Sequence, residues 1–277
     1  MRLLSEGGMG AVYEAVQLRL ERRVAVKVLN SDMADNPEAL ARFRREVKVM
    51  CKLGHPHVVQ LLDFGMTESN QPYLVTEYLE GEDLQQRLDR TGSLSLGDTL
   101  SILRQVTSAL AAIHAKAIVH RDLKPANVFL MDIDGAPDFV KVLDFGISKV
   151  KTSTTALTRP ASILGTPEYM SPEQAAGRAD DLDHRGDQWA LACMVWHMLS
   201  GRPPFTGRDL NDILDRIAAD DPPSMLAAVP DLPPALEQVL RRALAKRPGQ
   251  RFATVTAFLR AFESAAAPAL GPMRALQ

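Results

Sequence analysis

The stretch His120-Arg121-Asp122-Leu123-Lys124-Pro125-Ala126-Asn127 is followed, seventeen positions after Asn127, by Asp144-Phe145-Gly146. A short apolar run follows Asn127, another precedes Asp144, and the turn pair Asp134-Gly135 between them predicts a β-hairpin. Such a hairpin brings Asn127 and Asp144 to the same end of two paired strands. Oxygen ligands placed there suit Mg²⁺, which is usually held by one or two carboxylates together with substrate phosphates. The stretch therefore predicts a site for phosphoryl transfer.

The composition is that of an ordinary globular protein. The chain has 277 residues, 46% of them hydrophobic and 24% charged, with a formal net charge of −2. That charge gives no electrostatic reason to expect nucleic acid or an anionic membrane as a partner. The longest nearly apolar run, residues 189–199, is about half of what a membrane span requires. We therefore expect a cytoplasmic protein without a membrane span, whose two cysteines, Cys51 and Cys193, are buried and inert.

The hydrophobic pattern changes near residue 78. Before that point, short strands are predicted at residues 10–16, 24–29, 58–64 and 73–78, with one helix from about residue 36 to residue 53. Beyond residue 83 the pattern is mainly helical. We predict an α+β fold with a small β-rich N-lobe (residues 1–78), a hinge and a larger helical C-lobe (79–265), and a cleft between the lobes. The Ala/Pro-rich residues 266–277 are predicted to form a flexible tail.

Three further segments are suited to line that cleft. The glycine-rich run from Ser5 to Val12 would let backbone N–H groups approach phosphates, although an ordinary hairpin is the simpler interpretation of this run taken alone. Ala25 and Lys27 share one face of a predicted strand, where a small side chain beside an ammonium suits a flat base next to phosphates. Glu46 lies on the apolar stripe of the predicted helix. It either pairs with Lys27 or points to water at the edge of the stripe.

The central stretch contains groups suited to catalysis. Asp122 would accept or orient the proton of an attacking hydroxyl, and Lys124 would neutralise charge on the transferring phosphate. His120 follows the apolar pair Ile118-Val119, so it is interpreted as a packed core residue rather than a base.

These segments together resemble the signature set of protein kinases in its expected order: residues 120–127, 144–146, 24–27 with Glu46, and Ser171-Pro172-Glu173. The resemblance covers roughly residues 3–262. Residues 6–13 and 165–174 are similar to the bacterial, eukaryotic-like (Hanks-type) serine/threonine kinases in particular. The resemblance implies a two-lobed protein kinase fold and transfer of the ATP γ-phosphate to serine or threonine of protein substrates.

The resemblance also implies roles for individual residues. Lys27 would hold the α- and β-phosphates of ATP and pair with Glu46, while Asn127 and Asp144 would hold Mg²⁺, or Mn²⁺ as an alternative. Asp122 and Lys124 would act directly in catalysis. Further nucleotide contacts are implied for Gly7, Gly8, Gly10, Val12, Ala25, Glu77 and Leu79. Away from the nucleotide, Asp187 would accept backbone N–H groups of the catalytic loop (residues 120–127), and Glu173 would pair with Arg251.

Arg121 indicates regulation, because a cation beside Asp122 can bind a phosphate on the activation segment, the stretch that contains Thr154, Thr155 and Thr158, and so order that segment. Thr158 is the preferred phosphorylation site, with Thr154 and Thr155 as further candidates. Most hydroxyls of this segment are expected to be solvated loop residues. A homodimer that phosphorylates itself is compatible with the resemblance.

Two departures from the family pattern leave an alternative open. Ser5 occupies the place of the first loop glycine, which would cost on the order of 1 kcal/mol if that position needs a backbone conformation reserved for glycine. Only four residues precede Ser5, so we expect a short first strand, from either a truncated kinase or a start site assigned too far downstream. The alternative is a pseudokinase that serves as a scaffold with weakened ATP binding. A small-molecule phosphotransferase is disfavoured by residues 165–174, which resemble a platform for peptide substrates.

Overall fold

The computed structural model describes residues 1–7, 10–29, 41, 45, 47–133, 135–144, 167–178 and 182–270. Within these residues, a five-stranded sheet forms the N-lobe, and a mainly helical C-lobe carries a second sheet of three strands. The predicted α+β architecture with two lobes is confirmed. No helix in the described part of the chain is long and apolar enough to cross a membrane.

The N-lobe sheet is antiparallel throughout, with the strand order β1-β2-β3-β5-β4. Valine recurs at every second position along β3, so Val24 and Val26 lie on the same face of the sheet, where both are buried. Strand β1 is an edge strand, and all of its residues are exposed. The strands are β1 (Arg2–Gly7), β2 (Gly10–Gln17), β3 (Arg22–Leu29), β4 (Leu61–Met66) and β5 (Pro72–Glu77).

The strand predicted from residue 58 begins three residues late because its first part joins the two lobes instead. Val58 forms a parallel bridge to Val142, and the Val59 N–H donates to the Val142 carbonyl at 3.0 Å. Of the predicted N-lobe helix, residues 41, 45 and 47–50 are described and helical, with Val47 and Met50 buried. Glu46 lies outside the described residues.

The two cysteines differ. Cys193 is buried, as predicted, but Cys51 is exposed, and the prediction for Cys51 is wrong. The helix ends at Met50, and Cys51 lies in the following turn rather than on the buried stripe.

The C-lobe is built around one helix, α4 (His184–Ser200), which is buried on all sides from Gly186 to Leu199. A helix that is apolar all round belongs in a core, which explains why this run resembled part of a membrane span. The other helices are α1 (Leu84–Thr91), α2 (Leu96–His114), α3 (Pro172–Ala175), α5 (Leu210–Ala219), α6 (Met225–Ala228), α7 (Pro234–Ala243) and α8 (Val255–Leu270).

The predicted hairpin is present in the C-lobe sheet. It consists of β7 (Val128–Ile133) and β8 (Ala136–Val142), and the short strand β6 (Glu82–Asp83) pairs with β7. Val128 lies opposite Val142, and the Leu143 N–H donates to the Asn127 carbonyl at 2.9 Å. This register places residues 127 and 144 at the same end of the hairpin.

The flexible tail was predicted to begin at residue 266, but the last helix continues beyond that residue. Helix α8 continues to Leu270, and Ala265 and Ala266 are buried against the core. Alanine has the highest intrinsic helix propensity, so the composition that was interpreted as a frayed tail extends the helix instead. Residues 271–277 lie outside the described residues.

Candidate active site

Three of the predicted site residues meet in the catalytic loop between α2 and β7. Lys124 Nζ lies 3.2 and 3.0 Å from the two carboxylate oxygens of Asp122. Asn127 Nδ2 donates to the Asp122 carbonyl at 2.7 Å and to Asp122 Oδ2 at 3.2 Å. A carboxylate, an ammonium and a carboxamide are thus gathered within hydrogen-bond distance. Asp122 and Lys124 are both half-buried, so their charges face the cleft with limited access to water.

A buried carboxylate holds the start of this loop. Asp187, in the first turn of α4, accepts the N–H groups of His120 and Arg121, both at 2.8 Å, and His114 Nε2 at 2.7 Å. Burial raises the pKa of Asp187, but the hydrogen bond from His114, the charges of the two histidines and the bond from Arg121 outweigh it and hold that pKa below its ordinary value. The contact expected between Asp187 and the catalytic loop is therefore present.

His120 packs in the core, as its apolar neighbours predict. Its side chain is fully buried, and Nε2 donates to the Leu143 carbonyl at 2.8 Å. The residue after Leu143 is Asp144, so this bond ties the catalytic loop to the strand end that carries the second carboxylate.

Lys27 reaches across the cleft from β3 to the C-lobe. Its Nζ lies 2.6 Å from Asp144 Oδ2. Asp144 has a φ of 54°, in the left-handed region that non-glycine residues rarely adopt, and such conformations cluster at functional sites. Since Glu46 lies outside the described residues, the pairing of Lys27 with Glu46 stays a prediction.

A cleft of about 560 Å³ separates the lobes, which is within the usual range for a small-molecule site. Gly8 lies outside the described residues. The other residues predicted to contact nucleotide all line this cleft, together with the catalytic loop: Gly7, Gly10, Val12, Ala25, Lys27, Glu77, Leu79, Asp122, Lys124, Asn127 and Asp144.

Several residues that line the cleft were not predicted from the sequence, among them Asp83, Phe129 and Leu143. Asp83 caps helix α1, Phe129 lies on β7, and Leu143 directly precedes Asp144. Phe129 could have been found from the strand period, because it alternates with the buried residues Val128 and Leu130. For Asp83 the sequence offers only a helix-capping signal, which does not indicate a cleft.

The glycine-rich run differs from expectation at Ser5. Gly10 has a φ of 133°, and a Cβ added there would lie 1.9 Å from the Val28 carbonyl oxygen, so only glycine fits. Ser5 instead pairs with Val12 in strand β1, beside a β-bulge, and does not have a positive φ. The condition for a backbone penalty at Ser5, a conformation reserved for glycine, is therefore not met.

The hinge carries an ion pair that the sequence did not indicate. Lys141 Nζ on β8 lies 2.7 Å from Glu77 Oε1, which also accepts the Gln60 N–H at 2.8 Å. The Glu77 side chain thus ties the end of β5 to the C-lobe sheet.

The segment that resembles a platform for peptide substrates is held by a buried ion pair. Both carboxylate oxygens of Glu173, on α3, accept bonds of 2.8 Å from Arg251, and both side chains are almost fully buried. Burial raises the pKa of Glu173, but the bonds and charge of Arg251 outweigh it, so the pKa lies below its ordinary value. The expected pair is present.

A second cleft, of about 520 Å³, opens beside Arg121. Its lining includes the cations Arg45, Lys116 and Arg121, and one carboxylate, Asp183. Asp183 is already engaged with the first turn of α4, where it accepts the Arg185 N–H at 2.7 Å. Among the described residues that line this cleft, the three cations outnumber the single carboxylate. The phosphorylation candidates Thr154, Thr155 and Thr158 lie outside the described residues.

Comparison with known proteins agrees with this geometry. The protein kinase domain family matches residues 1–262. Serine/threonine-protein kinase pkn3 of Myxococcus xanthus is 41% identical over 92% of this chain and 47% of its own length, and serine/threonine-protein kinase PknA of Mycobacterium tuberculosis is 38% identical over 91% and 57%. The chain thus spans about half the length of these curated relatives.

Solved structures show the same similarity. The PknI kinase domain of Mycobacterium tuberculosis superposes with a TM-score of 0.75 at 33% identity, covering 96% of this chain and 94% of that one. Rad53 in complex with AMP-PNP, at 24% identity and a TM-score of 0.75, shares the fold. The chain belongs to the protein kinase family, among the bacterial serine/threonine kinases of the Hanks type.

Proposed function

We propose that this domain transfers the γ-phosphate of ATP to serine or threonine hydroxyls of protein substrates. The observation that carries the proposal is the convergence of Asp122, Lys124 and Asn127 at one end of the interlobe cleft, opposite the Lys27–Asp144 pair. Family membership supports the same reaction, and the cleft has the size and the mixed lining that a nucleotide needs.

The roles follow from the positions of the charges. Asp122 accepts or orients the proton of the substrate hydroxyl, whose oxygen forms the new bond to phosphorus while the bond to the β-phosphate breaks and ADP leaves. Lys124 and Lys27 neutralise charge on the phosphates. Such a reaction depends on positioning and electrostatics, which is consistent with a loop held by buried hydrogen bonds.

The residues proposed for the metal offer suitable donors. Asn127 commits its amide nitrogen to Asp122, which leaves Oδ1 as the atom that would face a cation. With a carboxylate from Asp144 and phosphate oxygens, this set suits Mg²⁺, with Mn²⁺ as an alternative. When bound, the metal would neutralise charge on the nucleotide phosphates.

We further propose that the domain phosphorylates its own activation segment, as a homodimer or between transient partners. The cationic cleft of Arg45, Lys116 and Arg121 supports this, because it offers charge-assisted hydrogen bonds to a phosphate on Thr158, Thr154 or Thr155. The proposed compartment is the cytoplasm, which supplies ATP and keeps thiols such as Cys51 and Cys193 reduced.

The test compares the wild type with Asp122→Asn and Asp144→Asn, using labelled ATP, Mg²⁺ and a generic acceptor protein. We expect labelled wild type and acceptor, with phosphosites mapped by mass spectrometry on Thr158 or its neighbours. Asp122→Asn should lower kcat by about a thousandfold without changing the melting temperature. Asp144→Asn should remove Mg²⁺-dependent turnover while leaving much of the nucleotide affinity.

The pseudokinase alternative makes the opposite prediction. It would be supported by an unlabelled wild type whose melting temperature does not rise with ATP and Mg²⁺, because a ligand that binds only the native state must stabilise it. Ser5 pairs in strand β1 without a positive φ, which argues against backbone strain as a cause of weakened ATP binding.

A further inference from the structure

Gln174, on α3, joins the peptide platform to the catalytic loop. Its Nε2 donates to the Arg121 carbonyl at 2.7 Å, and its Oε1 accepts the Ser171 N–H at 3.0 Å. The second bond is half of a capping box at the start of α3. The first leaves the helix altogether and reaches a residue 53 positions earlier in the chain.

The residue that accepts this bond has an unusual backbone. Arg121 has a φ of 68°, in the left-handed region, where a non-glycine residue persists only when its surroundings hold it. Its N–H is held by Asp187 Oδ1 at 2.8 Å and its carbonyl by Gln174. The peptide groups on both sides of Arg121 are thus bonded to buried or half-buried side chains, one from α4 and one from α3.

The following residue is Asp122. Because Arg121 is fixed at both peptide groups, the direction in which the chain enters Asp122 is fixed as well. The neighbouring residue on α3, Glu173, is bound through both carboxylate oxygens to Arg251. Helix α3 therefore has one side chain bound to the C-lobe core and the next bound to the catalytic loop.

We propose that Gln174 is a positioning residue, which holds Arg121 in its left-handed conformation and so aligns the Asp122 carboxylate with a hydroxyl presented on the peptide platform. The inference rests on the proposed kinase function. Gln174 would not touch the substrate itself, but would couple the peptide platform to the proposed base, Asp122.

Two substitutions separate the bond to Arg121 from the helix cap. Gln174→Glu keeps an oxygen for the Ser171 N–H, and serine with glutamate is a normal capping box, but an ionised carboxylate cannot donate to the Arg121 carbonyl. Gln174→Met keeps the length of the side chain and loses both bonds.

The matched control is Gln105, on α2. Its amide makes the same pair of bonds, donating to the Asp138 carbonyl at 2.9 Å and accepting the Val140 N–H at 2.9 Å, but it joins α2 to β8 away from the catalytic loop. Gln105→Glu therefore reproduces the chemical change and its cost in stability without touching Arg121.

The experiment measures kcat, the KM values for ATP and peptide, and amide hydrogen exchange over residues 120–127. For Gln174→Glu at neutral pH and for Gln174→Met, we expect kcat to fall by about tenfold while the KM for ATP changes less than about twofold. Exchange over residues 120–122 should become faster in both variants. Gln105→Glu should change neither kcat nor this exchange.

A pH profile gives a signature that a merely structural role would not produce. When protonated, the glutamate of Gln174→Glu has an O–H that can donate to the Arg121 carbonyl. The ratio of its kcat to that of the wild type should therefore rise as the pH is lowered from about 7 to about 4, through the ordinary glutamate pKa of about 4.3, whereas the ratio for Gln174→Met should stay flat.

The outcomes are distinct. Unchanged exchange over residues 120–122 in Gln174→Met, or a fall in kcat equal to that of Gln105→Glu, overturns the inference. A flat pH ratio for Gln174→Glu overturns the role of the donated hydrogen bond. An inactive wild type overturns the proposed function instead, and the exchange comparison then decides alone whether Gln174 holds the loop.

Discussion

The catalytic loop and the glycine-rich edge face each other across the same cleft but are held in opposite ways. In the loop, the backbone of His120 and Arg121 is bonded to the buried carboxylate of Asp187, and His120 is itself fully buried. At the edge, strand β1 is exposed along its whole length and has a neighbour on one side only. The groups proposed to do the chemistry are therefore held by buried hydrogen bonds, whereas in the described residues the strand that would cover the phosphates is held by sheet pairing and by an exposed ion pair between Arg2 and Glu14.

The largest effect on the catalytic loop is expected for Asp187→Asn, which changes the buried carboxylate that holds the loop backbone. The amide keeps the shape but can accept with only one of its two heavy atoms, so at least one of three donors loses its partner in a buried site. We expect the free energy of unfolding to fall by about 4 kcal/mol, with a loss of activity in the protein that remains folded. Urea unfolding and single-turnover kinetics measure the two effects. A stable, fully active variant would show that the loop does not depend on this anchor.

Glu173→Gln tests a second anchor and adds a pH dependence. Removing one partner of the buried pair with Arg251 should cost about 3 kcal/mol at neutral pH. Since the pKa of Glu173 in the folded protein lies below its ordinary value of 4.5, its stabilisation is complete above that pH and is lost as the pH falls through the folded pKa. The gap in unfolding free energy between wild type and variant should narrow below about pH 4.5. A gap that stays constant would contradict the assigned pair.

At the edge of the N-lobe sheet, substitutions of two glycines test how strongly the strand pairing constrains the backbone. Gly10→Ala places a Cβ against the Val28 carbonyl at a φ of 133°, and we expect a cost of about 2 kcal/mol. Gly7→Ala meets no atom within 4 Å and should change the unfolding free energy by less than about 0.5 kcal/mol. Thermal unfolding of both variants measures this difference. Equal costs would show that the edge strand does not constrain Gly10 as described.

The smallest effect is expected for Ser5→Gly. Because Ser5 is in an extended strand, glycine relieves no strain, and it should lower stability by about 0.5 kcal/mol. Affinity for ATP, measured by calorimetry, should change less than about twofold. A marked gain in affinity would restore the argument that this serine weakens nucleotide binding.

Local signals were sufficient for most of the fold. Alternation of β-branched residues predicted β2, β3 and β5, and the turn pair at Asp134-Gly135 predicted the hairpin of β7 and β8. The errors fall where tertiary contacts override local preference. Val58 and Val59 were predicted to begin a strand of the N-lobe but bond to Val142 of the C-lobe, and Ala266 was predicted to begin the tail but is buried against the core within α8.

In the candidate site too, contacts between residues close in sequence could be predicted, whereas some contacts between distant residues could not. Asp122, Lys124 and Asn127 are close in sequence, so their meeting could be predicted from the motif alone. The bonds from Gln174 to Arg121 and from Lys141 to Glu77 join residues 53 and 64 positions apart, and no local pattern indicates either of them.

The sequence by itself determined the chemistry of this protein: the kinds of side chain, their order and the strand ends that carry them. These follow from residue identity and short-range periodicity, which depend on neighbours a few positions away. The contacts of Asp187 with the catalytic loop and of Glu173 with Arg251 were implied by the family resemblance. Only the tertiary structure decided that Gln174 lies beside Arg121 and Lys141 beside Glu77. Such contacts depend on how distant elements pack, because a hydrogen bond requires two atoms within about 3 Å of each other regardless of their separation along the chain.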